Sequence, residues 1–230
     1  MFIISAKNQN GLNYCVTLVE DILKFHKNEI ICIVDSDSED KSYFEELKKF
    51  ENIVICDVSN KHYCLGAYWI AYSMFPNEEF YYCFHDTLRV KSNLDYFKIK
   101  DFTTLFSFDR NTLDIGMTKW CIDKLKKIGK NYKAESNDMG IYGPIWMCKN
   151  WVMKTMFERK FNLVLPETKS QLEAMERICG FFIEDLGLSI FNNSLYGDIL
   201  QAESNFGRSG LYPHKTSWQF PIEKYYGGRK

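Results

Sequence analysis

Three features are missing from this 230-residue chain, and each absence argues against a class of protein. No two of its eight cysteines stand as C-x-x-C, so we expect buried thiols in a reducing compartment rather than disulfides or zinc ligands. No apolar run approaches about 18 residues, which predicts no transmembrane helix. Lysine and arginine number 29 against 30 acidic residues, and this balance gives no support for nucleic-acid binding.

The amino-terminal residues 1–10 also lack the basic segment and long apolar run of a signal peptide. Together with the cysteine usage, this predicts a cytosolic protein, with peripheral membrane contact left open. Hydrophobic residues make up 46% of the chain, which argues against disorder and is enough for a large core. Without internal repeats or a clear linker, we expect one domain over residues 1–230.

Strand and helix patterns alternate over the first hundred residues. Short apolar runs predict buried strands at residues 2–5, 29–34, 52–56 and 80–84, and apolar residues between them recur at helical spacing. This βαβαβαβ order predicts an α/β fold with a mostly parallel sheet and helices on both faces.

The second half of the chain is less regular. Residues 102–108 (FTTLFSF) resemble a strand, and a helix is expected within residues 113–133. Apolar residues at helical spacing predict two further helices, at residues 146–157 and 171–186.

Acidic residues follow two of the predicted strands. Asp35 opens an acidic loop after the second strand, and His85-Asp86-Thr87 follows the fourth. Ligands of such sheets bind beyond the carboxyl ends of the strands, so both acids could share one crevice. Asp86 could hold a divalent cation against a diphosphate. The alternative is structural: Asp35 or a nearby serine caps the next helix, and Asp86 caps a turn.

Two later segments offer further chemistry. Glu176 falls at the boundary between the polar and apolar faces of the predicted helix 171–186, where partial burial raises the pKa of a carboxylate and makes it a better base. The turn at residues 140–146 (GIYGPIW) brings glycines beside two aromatic rings, which suit the apolar face of a sugar. A surface helix with charge pairs and a packed turn are the alternatives.

These segments, in this order, resemble nucleotide-sugar-dependent glycosyltransferases of the GT-A fold, of the small single-domain microbial or large-virus type. The resemblance rests on residues 31–37 (ICIVDSD), the helix around Gly66 and Ala67, and residues 84–87 (FHDT), 140–143 (GIYG), 175–177 (MER) and 217–224 (SWQFPIEK). It implies that residues 1–100 form a nucleotide-sugar-binding half and residues 101–230 an acceptor-side half. The family motif usually has two acids, whereas His85 stands in the first position here.

The resemblance also implies roles for individual residues. The donor-binding residues would be Asp35, Ser36, Asp37, Gly66, His85, Asp86, Thr87 and Lys215. The acceptor-binding residues would be Tyr142, Gly143, Trp146, Arg177 and Trp218. Mn²⁺ or Mg²⁺ would bind to Asp86 and His214. Glu176 would be the catalytic base if the anomeric centre inverts, with Asp138 and Glu184 as alternatives.

The expected reaction is transfer of a sugar from a nucleoside-diphosphate sugar, with UDP as the expected carrier, to a glycan hydroxyl. A nucleotidyltransferase acting on sugar phosphates is one alternative, although residues 4–11 (ISAKNQNG) match a glycine-rich phosphate loop poorly. A non-catalytic module that binds sugar nucleotides is the other.

Overall fold

A six-stranded sheet organises the fold in the computed structural model, which describes residues 1–8, 14–109, 115–131, 139–199 and 221–224. The described strands are β1 (Phe2–Ala6), β2 (Ile31–Asp35), β3 (Ile53–Cys56), β4 (Phe80–His85), β5 (Leu88–Val90), β6 (Phe102–Thr104), β7 (Ser107–Asp109), β8 (Met139–Ile141), β9 (Trp146–Lys149) and β10 (Ile222–Lys224). The described α-helices are α1 (Tyr14–Phe25), α2 (Tyr43–Leu47), α3 (Tyr63–Met74), α4 (Ile115–Lys127), α5 (Asn150–Glu158) and α6 (Lys169–Asp185). Short 3-10 helices lie at Asp95–Ile99, Phe161–Leu163 and Phe191–Asn193.

The strand order of the central sheet is β3-β2-β1-β4-β9-β6. The first four of these strands run parallel, and β9 is antiparallel to both of its neighbours. Every residue of β1 and β2 is buried, as expected for strands that are covered on both faces. The expected fold class, a mostly parallel α/β sheet flanked by helices, is therefore confirmed.

Two apolar cores lie on opposite faces of the sheet. One core contains buried residues of α1 and α2, and the other contains buried residues of α3, α4, α5 and α6. All eight cysteines are buried thiols, as their apolar sequence context predicted. Among the residues that the structure describes, no helix is both long and apolar enough to cross a bilayer.

Two predictions of local structure were wrong. Residues 102–108 form two strands rather than one, because β6 pairs with β9 in the central sheet whereas β7 pairs with β8 in a separate ribbon. Residues 146–149 form β9 and not the start of a helix, because they are inserted between β4 and β6. The helix α5 begins only at Asn150, whose side-chain amide donates to the carbonyls of Pro76 and Glu78.

Two other helices agree with the sequence in position but differ in extent. The helix expected at residues 41–50 is limited to the five residues of α2. The helix expected at residues 171–186 begins slightly earlier, at Lys169, after Thr168, whose hydroxyl accepts a hydrogen bond from the Gln171 amide at 3.2 Å. A side-chain cap of this kind satisfies one of the amides that the first turn leaves without a helical partner.

Candidate functional site

The carboxyl ends of β2, β1 and β4 lie side by side at one edge of the sheet. Ala6 pairs with Asp35, and Ser5 pairs with His85, so the positions of Asp35 and Asp86 flank β1 at nearly the same level. Adjacent strands lie about 4.8 Å apart, which separates the two acidic positions by roughly 10 Å. The strand register thus places both acidic positions at the same edge of the sheet.

A cavity of about 130 Å³ opens at this edge. The strand ends contribute Ser5, Lys7, Ser36, His85, Asp86 and Thr87 to its wall. The helices contribute Tyr63 and Cys64 from the first turn of α3 and Leu172 from the first turn of α6. The cavity therefore combines a carboxylate, a lysine, an imidazole, several hydroxyls and the amino end of a 12-residue helix.

Asp86 is the acidic residue of the cavity wall. Its side chain is only 4% exposed, and Oδ2 accepts a hydrogen bond from the Lys7 amide at 2.8 Å. Its own amide donates to the Ser5 carbonyl at 3.1 Å, which extends the β1–β4 pairing by one residue. The electrostatic effect of Asp86 reaches Cys15 of α1, where burial, then Asp86 and then Asp35 raise the pKa of the thiol.

Asp35 occupies a different environment. It is fully buried, with Oδ1 accepting from the Tyr43 hydroxyl at 2.7 Å and Oδ2 from the Ser38 amide at 3.0 Å. Burial, followed by the hydrogen bond to Asp35, raises the pKa of Tyr43 far above its ordinary value. Asp35 is not among the residues that line the cavity, and its carboxylate fixes the loop after β2. Asp37, two residues on, is exposed with a φ of 62°.

A buried asparagine that the sequence analysis missed joins two walls of the cavity. Asn60 is 4% exposed, and its side-chain amide donates to the Ser36 hydroxyl at 3.1 Å and to the Tyr63 carbonyl at 2.7 Å. Its Oδ1 accepts from the His62 amide at 3.0 Å. Gly66 permits this arrangement, because a Cβ there would lie 2.2 Å from Asn60 Oδ1. The predicted donor residue Gly66 is thus a close-packing position.

Tyr63 is held in an unusual backbone conformation at the cavity. Its φ is 54°, in the left-handed region that costs a non-glycine residue about 1–3 kcal/mol. Strained backbone of this kind persists only where the surroundings enforce it, and the hydrogen bond from Asn60 to its carbonyl is one such constraint. No periodicity in the sequence signals such a residue. The run Asn60-Lys61-His62-Tyr63 contains neither glycine nor proline.

The cavity wall suits a divalent cation that is held by one protein carboxylate together with the phosphates of a bound substrate. Within the described ranges, no group of three or more His, Cys, Asp or Glu side chains could hold a metal ion by itself. Magnesium and similar ions are commonly held by one or two carboxylates together with substrate phosphates and water. Asp86, with its buried carboxylate on the cavity wall, fits that mode. The predicted second ligand, His214, lies outside the described residues.

Glu176 lies on α6, one helical turn after the cavity residue Leu172. It is half-buried, as its position between the two faces of the helix predicted, and its Oε1 accepts from the Gly143 amide at 2.8 Å. Gly143 has a φ of 52°, a conformation that suits glycine. Burial, then the charges of the cavity residue Cys64 and of Glu176, raise the pKa of the Cys179 thiol. Glu176 is therefore near the cavity, although it does not line it.

Two other predicted acceptor residues, Arg177 and Tyr142, each lie beside the ring of a phenylalanine. The Arg177 guanidinium lies over the Phe108 ring at 4.9 Å and donates to the Glu173 carbonyl at 2.7 Å. Tyr142 is half-buried next to the ring of Phe106.

The prediction that Trp146 binds the acceptor is wrong. Trp146 is fully buried in β9 and packs edge-on against Tyr68 at 5.1 Å, so its ring is not exposed for stacking on a sugar.

The alternative base Glu184 lies eight residues beyond Glu176 on α6, about 12 Å further along the helix from the cavity. Asp138, Lys215 and Trp218 lie outside the described residues.

Comparisons with known proteins give low similarity. No family model and no curated protein matches the chain. The galactosyltransferase LgtC, in complex with donor and acceptor sugar analogues, is similar with a TM-score of 0.47 and 12% identity, over 98% of this chain and 87% of that one. TarS of S. aureus in complex with UDP is similar with a TM-score of 0.44 and 14% identity, over 78% of this chain and 54% of that one.

The bifunctional glycosyltransferase WbbM, in its apo form, is similar with a TM-score of 0.45 and 11% identity, over 100% of this chain and 46% of that one. The chain thus spans about half the length of the TarS and WbbM chains. LgtC and WbbM are glycosyltransferases and TarS is in complex with UDP, but at such TM-scores the likeness assigns no role to any residue here.

Proposed function

We propose that this chain is a nucleotide-sugar-dependent glycosyltransferase that moves a sugar from a nucleoside-diphosphate sugar, with UDP as the expected carrier, to a glycan hydroxyl. The supporting observation is the cavity at the carboxyl edge of the parallel sheet, where Asp86 and Lys7 stand beside the amino end of α3. Its volume of about 130 Å³ is below the roughly 300–1,000 Å³ of a complete small-molecule site, so it suits one part of such a donor.

The diphosphate is the part that this cavity suits best. The Lys7 side chain supplies a positive charge, and the first turn of α3 supplies backbone N–H groups that favour an anion. Thr87 can donate a hydrogen bond to a phosphate oxygen. Asp86 alone would repel the diphosphate, so its presence favours a bridging cation. A divalent cation held by Asp86 and the donor would neutralise the charge that develops on the leaving diphosphate.

The nucleoside would lie toward β2 and β3, away from Asp86. The cavity wall at that end includes Ser36 and Tyr63. An aromatic face can stack on a nucleobase, and a hydroxyl can bond to a ribose or to a base edge. Asn60 positions both residues through its two donated hydrogen bonds.

Glu176 remains the proposed base for an inverting reaction. The Gly143 amide fixes one oxygen of its carboxylate, so the side chain is oriented before the acceptor binds. A general base in such a position contributes about 10²–10⁴-fold to the rate. The change Glu176→Gln keeps a side-chain oxygen for the Gly143 amide and removes the base, so we expect transfer to fall by about 100-fold or more with donor affinity unchanged. Near-normal turnover with intact donor binding would exclude the base role.

Calorimetry with a panel of nucleoside diphosphates, with and without Mn²⁺, tests the central proposal. We expect one nucleoside diphosphate to bind and Mn²⁺ to tighten its binding. The variant Asp86→Asn should lose the effect of Mn²⁺ and lose transfer from the matching nucleotide sugar. The change Asp57→Asn is the matched control, because Asp57 is exposed after β3 and pairs with Lys41. If the wild-type chain binds none of the nucleotides, the proposal fails.

Product analysis separates this activity from the alternatives. Glycosyl transfer releases a nucleoside diphosphate from the nucleotide sugar and moves the sugar label to the acceptor. A nucleotidyltransferase instead joins a sugar phosphate to the α-phosphate of a nucleoside triphosphate, which forms a nucleotide sugar and releases pyrophosphate. A binding module would bind the nucleotide sugar and leave it intact over extended incubation with metal and a range of glycans.

A further inference from the structure

Three sulfur atoms form a chain of two contacts on the α3 face of the sheet, and none of the three residues lines the cavity. The Cys56 thiol lies 3.6 Å from the Cys32 thiol and donates to the Met74 thioether at 3.4 Å. Cys32 is on β2, Cys56 is the last residue of the edge strand β3, and Met74 is the last residue of α3. The group extends from a fully buried thiol to a side chain that is 50% exposed.

The strand register argues against a disulfide between the two cysteines. Cys32 is paired with Val54, and Cys56 is paired with Val34, so the cysteines are offset by two residues on neighbouring parallel strands. With strands about 4.8 Å apart and a rise of about 3.3 Å per residue, their Cα atoms are roughly 8 Å apart. A disulfide needs about 4.4–6.8 Å, so it would require the strands to shift.

We propose that Cys32, Cys56 and Met74 form a binding site for a soft monovalent metal ion, Cu(I), with two thiolates and one thioether as ligands. A metal–sulfur distance of about 2.3 Å places the ligand sulfurs of tetrahedral or trigonal sites about 3.8–4.0 Å apart. The two contacts of 3.6 and 3.4 Å therefore need only small outward movements. Thiolate and thioether ligands together favour Cu(I) over harder ions, which prefer oxygen or nitrogen.

The binding step releases protons. Cu(I) displaces one proton from each thiol and leaves the complex with a net charge of −1, while Met74 donates a lone pair and loses nothing. Because both thiols must lose their protons before they can bind as thiolates, affinity for copper should rise with pH.

Access to the site runs through Met74. Half of this side chain faces solvent, and Cys56 is 5% exposed, whereas Cys32 is enclosed. An ion delivered by another sulfur ligand can therefore contact Met74 first, then Cys56 and finally Cys32. Sulfur contacts also arise from simple core packing, and the two explanations predict different copper binding. The site is independent of the proposed transferase activity, since none of its three residues lines the cavity.

Competition with a chromogenic Cu(I) chelator tests the proposal. The reduced full-length chain, kept free of oxygen, is titrated against the bicinchoninate complex of Cu(I). We expect the wild-type chain to take up one Cu(I), Cys56→Ser to take up none under the same conditions, and Met74→Leu to bind at least about tenfold more weakly. Wild-type uptake should also raise the melting temperature, because the ion ties β3 to β2 and α3.

The control is Cys121→Ser, which removes another buried thiol. Cys121 donates to the Ala174 carbonyl, a hydrogen bond that a serine hydroxyl can also make. This variant should bind copper as the wild type does. The proposal is overturned if the wild type takes no copper from the chelator, or if Cys56→Ser and Met74→Leu, shown to be folded by circular dichroism, take as much as the wild type.

Discussion

The substitution Gly66→Ala tests whether the packing of Asn60 against α3 shapes the cavity. On helix propensity alone, alanine at this position of α3 should stabilise the chain by about 1 kcal/mol. The structure predicts the opposite sign, because the added Cβ would lie 2.2 Å from Asn60 Oδ1 and 2.7 Å from His62 Cβ. A real Cβ does not come this close to either atom, so the Asn60 side chain must leave its position and the backbone near His62 must also shift.

The magnitude follows from what Asn60 would lose. Its side chain takes part in three hydrogen bonds, to Ser36, Tyr63 and His62, each worth about 1 kcal/mol. Their loss costs about 3 kcal/mol, and the helix-propensity gain of about 1 kcal/mol leaves a net destabilisation near 2 kcal/mol. The midpoint of urea unfolding should therefore fall without a change in slope.

A double-mutant cycle with Asn60→Ala separates this cause from others. In the Asn60→Ala background the collision with Oδ1 is absent, so Gly66→Ala should cost at least about 1 kcal/mol less. The remaining contact with His62 Cβ keeps some penalty in place. If Gly66→Ala proves neutral or stabilising in the wild-type background, the reasoning about Asn60 is refuted.

Three further outcomes are expected. Burial lowers the pKa of His26, whose Nε2 accepts a hydrogen bond from the Leu94 amide. Stability should therefore be constant above about pH 6.5 and fall as the pH drops below it, because the unfolded chain then binds a proton that the folded chain does not. Urea melts from pH 7.5 to 5 that show no decline would contradict this. Tyr43→Phe removes the hydroxyl bonded to buried Asp35 and should destabilise by about 2 kcal/mol in urea melts, with a loss under 0.5 kcal/mol speaking against it. Tyr63→Gly relieves the strained φ, so it should leave stability unchanged or raised. It also removes the ring proposed to stack on the nucleobase, so nucleotide binding measured by calorimetry should weaken about tenfold. Equal weakening by Tyr63→Phe would point away from stacking.

The amino-terminal half of the fold could be predicted because its signals are local. Apolar runs of four to six residues alternated with helical spacing, and strands buried on both faces give that pattern directly. The second half mixes the two signals. Residues 146–149 are apolar enough for either structure, and pairing with β4 and β6, distant in sequence, decided for a strand.

The position of the cavity followed from topology, but only part of its lining did: Ser36, His85, Asp86 and Thr87 were predicted, and the remaining residues were not. Strand ends could be located from the sequence, so Asp86 and the edge around it were found. Lys7 and Tyr63 were missed because their relevance depends on neighbours in space. Asn60 is linked to Ser36 across 24 residues of sequence, and no short pattern encodes that contact.

The two strand-end acids show what decides between a structural and a functional carboxylate. Asp35 and Asp86 flank β1 at nearly the same level, and both are buried. Asp35 accepts hydrogen bonds from Ser38 in the loop that follows it and from Tyr43 at the start of α2, and it is not among the residues that line the cavity. Asp86 is bonded to the Lys7 amide of the neighbouring strand and lies on the cavity wall. We therefore propose Asp86, and not Asp35, as the cation ligand, and Asp35→Asn should reduce stability while leaving any effect of Mn²⁺ on nucleotide binding intact.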